Sequence, residues 1–148
     1  MRDPKFFISA PFGNYIKHHN AISTTGSWTL HPRGNRLWSV IKTLRYDFSK
    51  GCWVNRLGLP NPGIRVGLEK TLPNEVLSVA ETERGEFEKI ARLIPDQQNI
   101  EVNLSCPNLG DKVLPWDGSK VFNVYRTEER EWCIAKLSPL TSPKELEY

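Results

Sequence analysis

The chain has 148 residues, 39% hydrophobic and 25% charged, which excludes a disordered or fibrous protein and suits one domain with a core of its own. No stretch approaches the roughly 18 apolar residues of a membrane span, and Met1-Arg2-Asp3-Pro4-Lys5 is not followed by a secretory apolar core, so a cytoplasmic, non-membrane protein is expected. The net charge of +3 divides unevenly: residues 1–60 hold nine Lys/Arg against two Asp/Glu, and residues 61–148 hold eleven against fifteen.

That positive first part suits an anionic ligand, but its basic residues are scattered and no binding motif frames them, which argues against nucleic acid. Cys52, Cys106 and Cys133 are an odd number at wide spacing, without a CxxC pair or a His cluster. Neither a disulfide framework nor a metal site is expected.

In chain order, Phe6-Phe7-Ile8-Ser9-Ala10 is a short apolar run closed by Pro11 and Gly13, read as the first strand. Ala21–Thr25 is a weaker second strand, ended by Gly26, and Glu75–Ala80 is a third. Thr82 then offers an N-cap, and Phe87, Ile90, Ala91 and Ile94 recur at helical spacing before Pro95 stops the helix. Asn99–Leu104 is a strand that ends at Ser105-Cys106-Pro107, since proline cannot donate to a ladder. A helix is expected over roughly Gly118–Arg130 and a strand over Trp132–Leu137. Strands alternating with helices predict an α/β fold with a parallel sheet and right-handed crossovers. Ser142-Pro143-Lys144-Glu145 carries the signals of a helix start. The last residue follows within one turn, so an interrupted helix is weighed against a frayed tail.

In a parallel α/β sheet, ligands meet the residues just past the carboxyl ends of strands, which places Asn103–Asn108 where chemistry is expected. Asn103 and Asn108 supply donors and acceptors for a planar polar ligand, and the Cys106 thiolate can act as a base. A lone cysteine in such a turn is otherwise a small buried hydrophobe. Gly58-Leu59-Pro60-Asn61-Pro62-Gly63 is a rigid loop that allows close backbone approach. With Asn55, it repeats the amide side chains in a second loop that can converge on the first.

The two runs VNRLGLPNPG and EVNLSCPNLG resemble, in order, the paired substrate loops of dihydroorotate dehydrogenases. FFISAPFGNY, TTGSWTLHPRGN and CIAKLSP resemble that family's first, second and fifth barrel strands. The resemblance implies a TIM (β/α)8 barrel holding FMN, which oxidises dihydroorotate to orotate in pyrimidine synthesis. Residues 1–148 would then form a single partial FMN barrel domain covering about strands 1–5 and lacking strands 6–8 with their phosphate grip.

It further implies that Cys106 is the base, as in the soluble class 1 enzymes, and that Asn55, Gly58, Leu59, Pro60, Asn61, Asn103 and Asn108 contact the substrate. Ser9, Ala10, Ser27, Asn103 and Lys136 would contact the flavin, Lys136 offsetting the charge that arrives with hydride. A purely structural Lys136 is disfavoured because a buried unpaired ammonium is costly. Two positions depart from the family pattern: Gly26, followed by Ser27, stands where a lysine is usual, and Ile8-Ser9-Ala10 replaces Ala-Ser-Gly. The alternative is a non-catalytic half-barrel whose open edges associate with a complementing chain or a second copy.

Overall fold

The computed structural model describes residues 6–34, 44–55, 58–104 and 118–137. Five strands form one parallel sheet: β1 (Phe6–Ile8), β2 (Ala21–Trp28), β5 (Val76–Val79), β6 (Ile100–Asn103) and β7 (Cys133–Lys136), hydrogen-bonded in that order. An antiparallel hairpin, β3 (Leu44–Asp47) and β4 (Cys52–Asn55), is inserted between β2 and β5. Helices α1 (Ile64–Lys70), α2 (Glu86–Ala91) and α3 (Gly118–Tyr125) lie in the connections before β5, β6 and β7. The expected α/β class with parallel strands is therefore observed. Among the described residues no helix is long and apolar enough to cross a membrane.

The sheet curls. In a flat sheet the four steps from β1 to β7 would separate the outer strands by ~19 Å. Yet Phe7 of β1 and Trp132, just before β7, meet edge to face with ring centroids 5.2 Å apart. This is a half-barrel, the arrangement of the first five strands of a TIM barrel.

One face of the curled sheet carries the core. Leu77 and Val79 of β5 and Ile100 and Val102 of β6 alternate along their strands and pack with Ile64, Phe87, Ile90 and Tyr125 from the helices. The Tyr125 hydroxyl donates to the Phe87 carbonyl at 2.8 Å, pinning α3 to α2. Burial raises the Tyr125 pKa, so the hydroxyl remains a donor. On the same face, burial pushes the Cys133 thiol up, which favours its protonated form.

Several boundaries differ from the sequence reading, each for a local reason. The N-cap of α2 is Gly85, not Thr82. The Glu86 carboxylate turns back to accept the Thr82 N–H at 2.7 Å, the Thr82 hydroxyl at 2.9 Å and the Glu83 N–H at 3.0 Å, holding Thr82 ahead of the helix. The Glu81 carboxylate, in turn, accepts the Glu86 N–H at 2.9 Å. Helix α3 stops at Tyr125 rather than Arg130. Arg130 is instead buried ahead of β7, its side chain donating to the carbonyls of Gln98 and Pro95 in the segment before β6.

The hairpin and α1 were not anticipated. Helix α1 has only seven residues, starts after Gly63 at φ 91° without a side-chain cap, and contains Gly67, so it carries little local helix signal. The hairpin turn is held by Asp47, whose carboxylate accepts the Ser49 N–H at 3.0 Å and its hydroxyl at 2.6 Å, with Gly51 at φ 62° closing it. The helix expected from Ser142 lies outside the described residues.

Candidate active site at the carboxyl ends of the strands

Because side chains alternate along a strand, the residues between those of the core share the concave face. Two register pairs define it: Ser78 beside Glu101, and Asn103 beside Lys136. All four are polar.

Ser27 joins them through an irregularity in β2. Thr25 pairs with Leu77, so a regular strand would set residue 27 beside Val79 on the core face. One extra residue intervenes, Trp28 takes the position beside Val79, and Ser27 turns to the concave face. Gly26 makes this possible. Its φ is 107°, and a Cβ there would lie 2.5 Å from the Ser78 carbonyl oxygen.

The five side chains form a continuous chain of contacts. Asn103 Nδ2 donates to Ser27 Oγ at 2.9 Å, the Ser27 and Ser78 hydroxyls lie 2.8 Å apart, and Ser78 donates to Glu101 Oε1 at 2.7 Å. The Lys136 ammonium stands 3.6 Å from the same Glu101 oxygen. The Glu101 side chain is only 9% exposed against 36% for Lys136, so the carboxylate is sheltered while the ammonium can still reach a ligand. This corrects one premise: Lys136 is an interior lysine with a partner. Cost alone therefore does not dismiss a structural role for it.

The second expected loop is placed by Asn61. Its Oδ1 accepts the N–H groups of Thr29 at 3.2 Å and Gly63 at 2.9 Å, while Nδ2 donates to the Leu59 carbonyl at 2.6 Å and the Thr29 hydroxyl at 3.0 Å. Its backbone also bridges to Arg33. The loop containing Gly58, Leu59 and Pro60 is thereby tied to the carboxyl end of β2, with Gly58 at φ 65°. A ligand reaching the Asn61 amide has to compete with these bonds.

Asn55 contributes its backbone to β4, paired with Leu44. Ser9 and Ala10 follow β1 at its carboxyl end, where the Ser9 carbonyl accepts the Gly13 N–H at 3.1 Å. Cys106 and Asn108 lie outside the described residues.

Thus Ser27, Asn103 and Lys136 come together, Asn61 stands with the β2 loop, and Ser78 and Glu101 are the members that sequence reasoning missed. The alternation Ile100-Glu101-Val102-Asn103 was the available signal for Glu101. Among the described residues no group of His, Cys, Asp or Glu side chains could hold a metal ion.

A parallel β/α half-barrel whose strand ends gather amide, hydroxyl and charged groups defines a protein of the TIM-barrel class with a polar cluster where such barrels place their sites. The sequence is 34% identical over 162 aligned positions to the catalytic subunit of dihydroorotate dehydrogenase B (NAD(+)) of Endomicrobium trichonymphae, covering 96% of this chain and 51% of the relative. It is 32% identical over 118 positions to a Pediococcus pentosaceus protein assigned to dihydroorotate dehydrogenase A (fumarate), covering 68% of this chain and 37% of that protein. The chain belongs to the dihydroorotate dehydrogenase family. It spans about half the length, or less, of these two curated relatives. No family model matches the sequence, and no solved structure matches it significantly.

Proposed function

We propose that this chain takes part in the FMN-dependent oxidation of dihydroorotate to orotate in de novo pyrimidine synthesis, with Cys106 as the base. The observation that carries this reading is the convergence of Ser27, Asn103 and Lys136 at the strand ends. A cation, an amide and a hydroxyl suit the carbonyl and nitrogen edge of a planar heteroaromatic ring, so the residues present fit FMN.

Bound FMN would supply the two-electron acceptor that takes hydride from the substrate ring. The protein's share is positioning and proton transfer. The Cys106 thiolate removes a proton from the neighbouring ring carbon, a role within reach of a thiol at slightly alkaline pH. Asn55, Asn61, Asn103 and Asn108 hold the ring and carboxylate of the substrate, with Gly58, Leu59 and Pro60 providing backbone at close approach. Ser9 and Ala10 line the cofactor side. Lys136 offsets the negative charge that accumulates there during reduction.

The test is titration of the purified chain with FMN, followed by anaerobic addition of dihydroorotate. Quenched flavin fluorescence and bleaching of flavin absorbance are expected. A chain that takes up no FMN would remove catalysis by these residues alone.

A second reading, a half-barrel that needs a complementing chain or another copy, is favoured by the β1 edge, where Phe6 is 70% and nearby Phe12 64% exposed. Size-exclusion chromatography separates the two. A stable compact monomer that binds FMN supports the first, and association that precedes FMN uptake supports the second.

A further inference from the structure

We infer that Glu101 is a positioning residue that sets which end of the Asn103 amide faces the interior, acting through Ser78 and Ser27. An ionised carboxylate can only accept, and an ammonium can only donate. With Glu101 receiving both Lys136 and the Ser78 hydroxyl, the single Ser78 proton is committed to Glu101.

The 2.8 Å contact between Ser78 and Ser27 must then be made by the Ser27 proton. Having given its proton to Ser78, Ser27 meets Asn103 as an acceptor, and only the nitrogen end of the amide can satisfy it, as the 2.9 Å bond from Nδ2 requires. Every donor in the series points toward Glu101. The order is fixed by one anion three contacts away, and Asn103 turns its carbonyl oxygen away from Ser27.

The consequence for a ligand rests on the reading above. In this orientation Asn103 offers its carbonyl end, as an acceptor, to whatever partners it meets other than Ser27, and a reversed amide would oppose a ring N–H of substrate or cofactor with a donor. The orientation itself does not depend on FMN. Its test therefore fails or succeeds separately from that reading.

The experiment is nuclear magnetic resonance of the ¹⁵N-labelled chain, with the Asn103 side-chain amide assigned by its absence in Asn103→Asp. In the parent chain, an Overhauser contact is expected from one Asn103 amide proton to the Ser27 methylene, and that proton should exchange more slowly than its geminal partner. Glu101→Met removes the acceptor that anchors the order, and Ser78→Ala cuts the link while leaving the Glu101–Lys136 pair in place. In Ser78→Ala the Ser27 hydroxyl loses its acceptor and turns to donate to Asn103, and in Glu101→Met the Ser78 proton, its acceptor gone, turns toward Ser27, which then donates to Asn103. The Overhauser contact should vanish, and exchange of the protected proton should speed up roughly five- to tenfold, the weight of one net hydrogen bond.

If Glu101→Met does not fold, Ser78→Ala carries the test. An unchanged Asn103 amide in folded Ser78→Ala would overturn the inference. So would a parent chain that lacks the contact.

Discussion

Gly67→Ala sets helix propensity against packing, and the structure decides the sign. Within α1, alanine in place of glycine gains about 1 kcal/mol from the backbone alone. A Cβ at this position would lie 2.7 Å from Cδ2 and Cγ of Trp28 and 2.9 Å from Cδ1. Ordinary carbon contacts begin near ~3.5 Å, so the ring would need to retreat by most of an ångström.

The ring is not free to do so. Trp28 is 6% exposed. Its Nε1 donates to the Thr25 hydroxyl at 3.2 Å, Thr25 and Thr71 share a 2.6 Å hydroxyl contact, and Thr71 donates to the Gly67 carbonyl at 2.8 Å. The indole is thus tied through two threonines to the same residue that would push it away. Overpacking of this kind costs about 2–3 kcal/mol, which leaves a net loss of roughly 1–2 kcal/mol after the helix gain. Urea unfolding followed by tryptophan fluorescence measures it. A Gly67→Ala chain as stable as the parent, or more so, would refute the packing argument.

Gly26→Ala should cost more, about 2–4 kcal/mol, because a positive φ and a 2.5 Å approach to backbone have no flexible neighbour to absorb them. Loss of the Ser27–Asn103 contact should accompany it, read by the same resonance measurement, and a variant with parent stability would show that the β2 irregularity is not needed. Asn61→Ala strips both ends of the amide from the loop after β2 and should destabilise by roughly 1–3 kcal/mol while speeding proteolytic cleavage between residues 58 and 63. An unchanged cleavage rate would show that the Arg33 bridge alone holds the loop.

Glu81 has its pKa raised above the ordinary 4.5, by burial first, against the opposing N–H groups of Glu86 and Gly85. Between 4.5 and its higher folded value the native chain binds more protons than the unfolded one, so this group's contribution falls as pH rises through that window. Glu81→Gln keeps an oxygen for the Glu86 N–H and should flatten the stability–pH curve just above 4.5 without loss at pH 7. A steeper curve would reverse the assigned sign.

Strands β5, β6 and β7 were legible because apolar runs bounded by turn residues are local signals, and their order already implied a parallel sheet. Asn103 was legible as a strand-end residue for the same reason. Ser27 was placed at the site only by family resemblance, since strict alternation from Thr25 puts it with the core, and the extra residue that reverses it depends on how β2 meets β5. The partner of Lys136 was missed although Glu101 lies two residues before Asn103, on the same face. Ser78 carried no signal at all within an apolar run. The occupation of the Asn61 amide by Thr29 and Gly63 is a tertiary fact that composition cannot contain.

The two faces of the sheet make the strongest argument that the polar group is a site and not surface decoration. Parallel sheets are ordinarily apolar on both faces, because both are covered. Here the convex face is mainly apolar, with the buried hydroxyls of Ser23 and Thr25 on β2, whereas the concave face carries Ser27, Ser78, Glu101, Asn103 and Lys136, a carboxylate, an ammonium and an amide among them, in mutual contact. A structure selected for stability alone would fill that concavity with aliphatic layers, and replacing a sheltered ion pair by packed apolar groups is often neutral or stabilising. Retaining a sheltered Glu101 beside Lys136, and bending β2 at a glycine to add Ser27, is costly in stability and becomes intelligible where a polar ligand is held by the same groups. Lys136→Met should accordingly weaken FMN uptake more than it weakens the fold. The opposite ranking, a fold lost with uptake unchanged in the residual native protein, would return the cluster to a structural role.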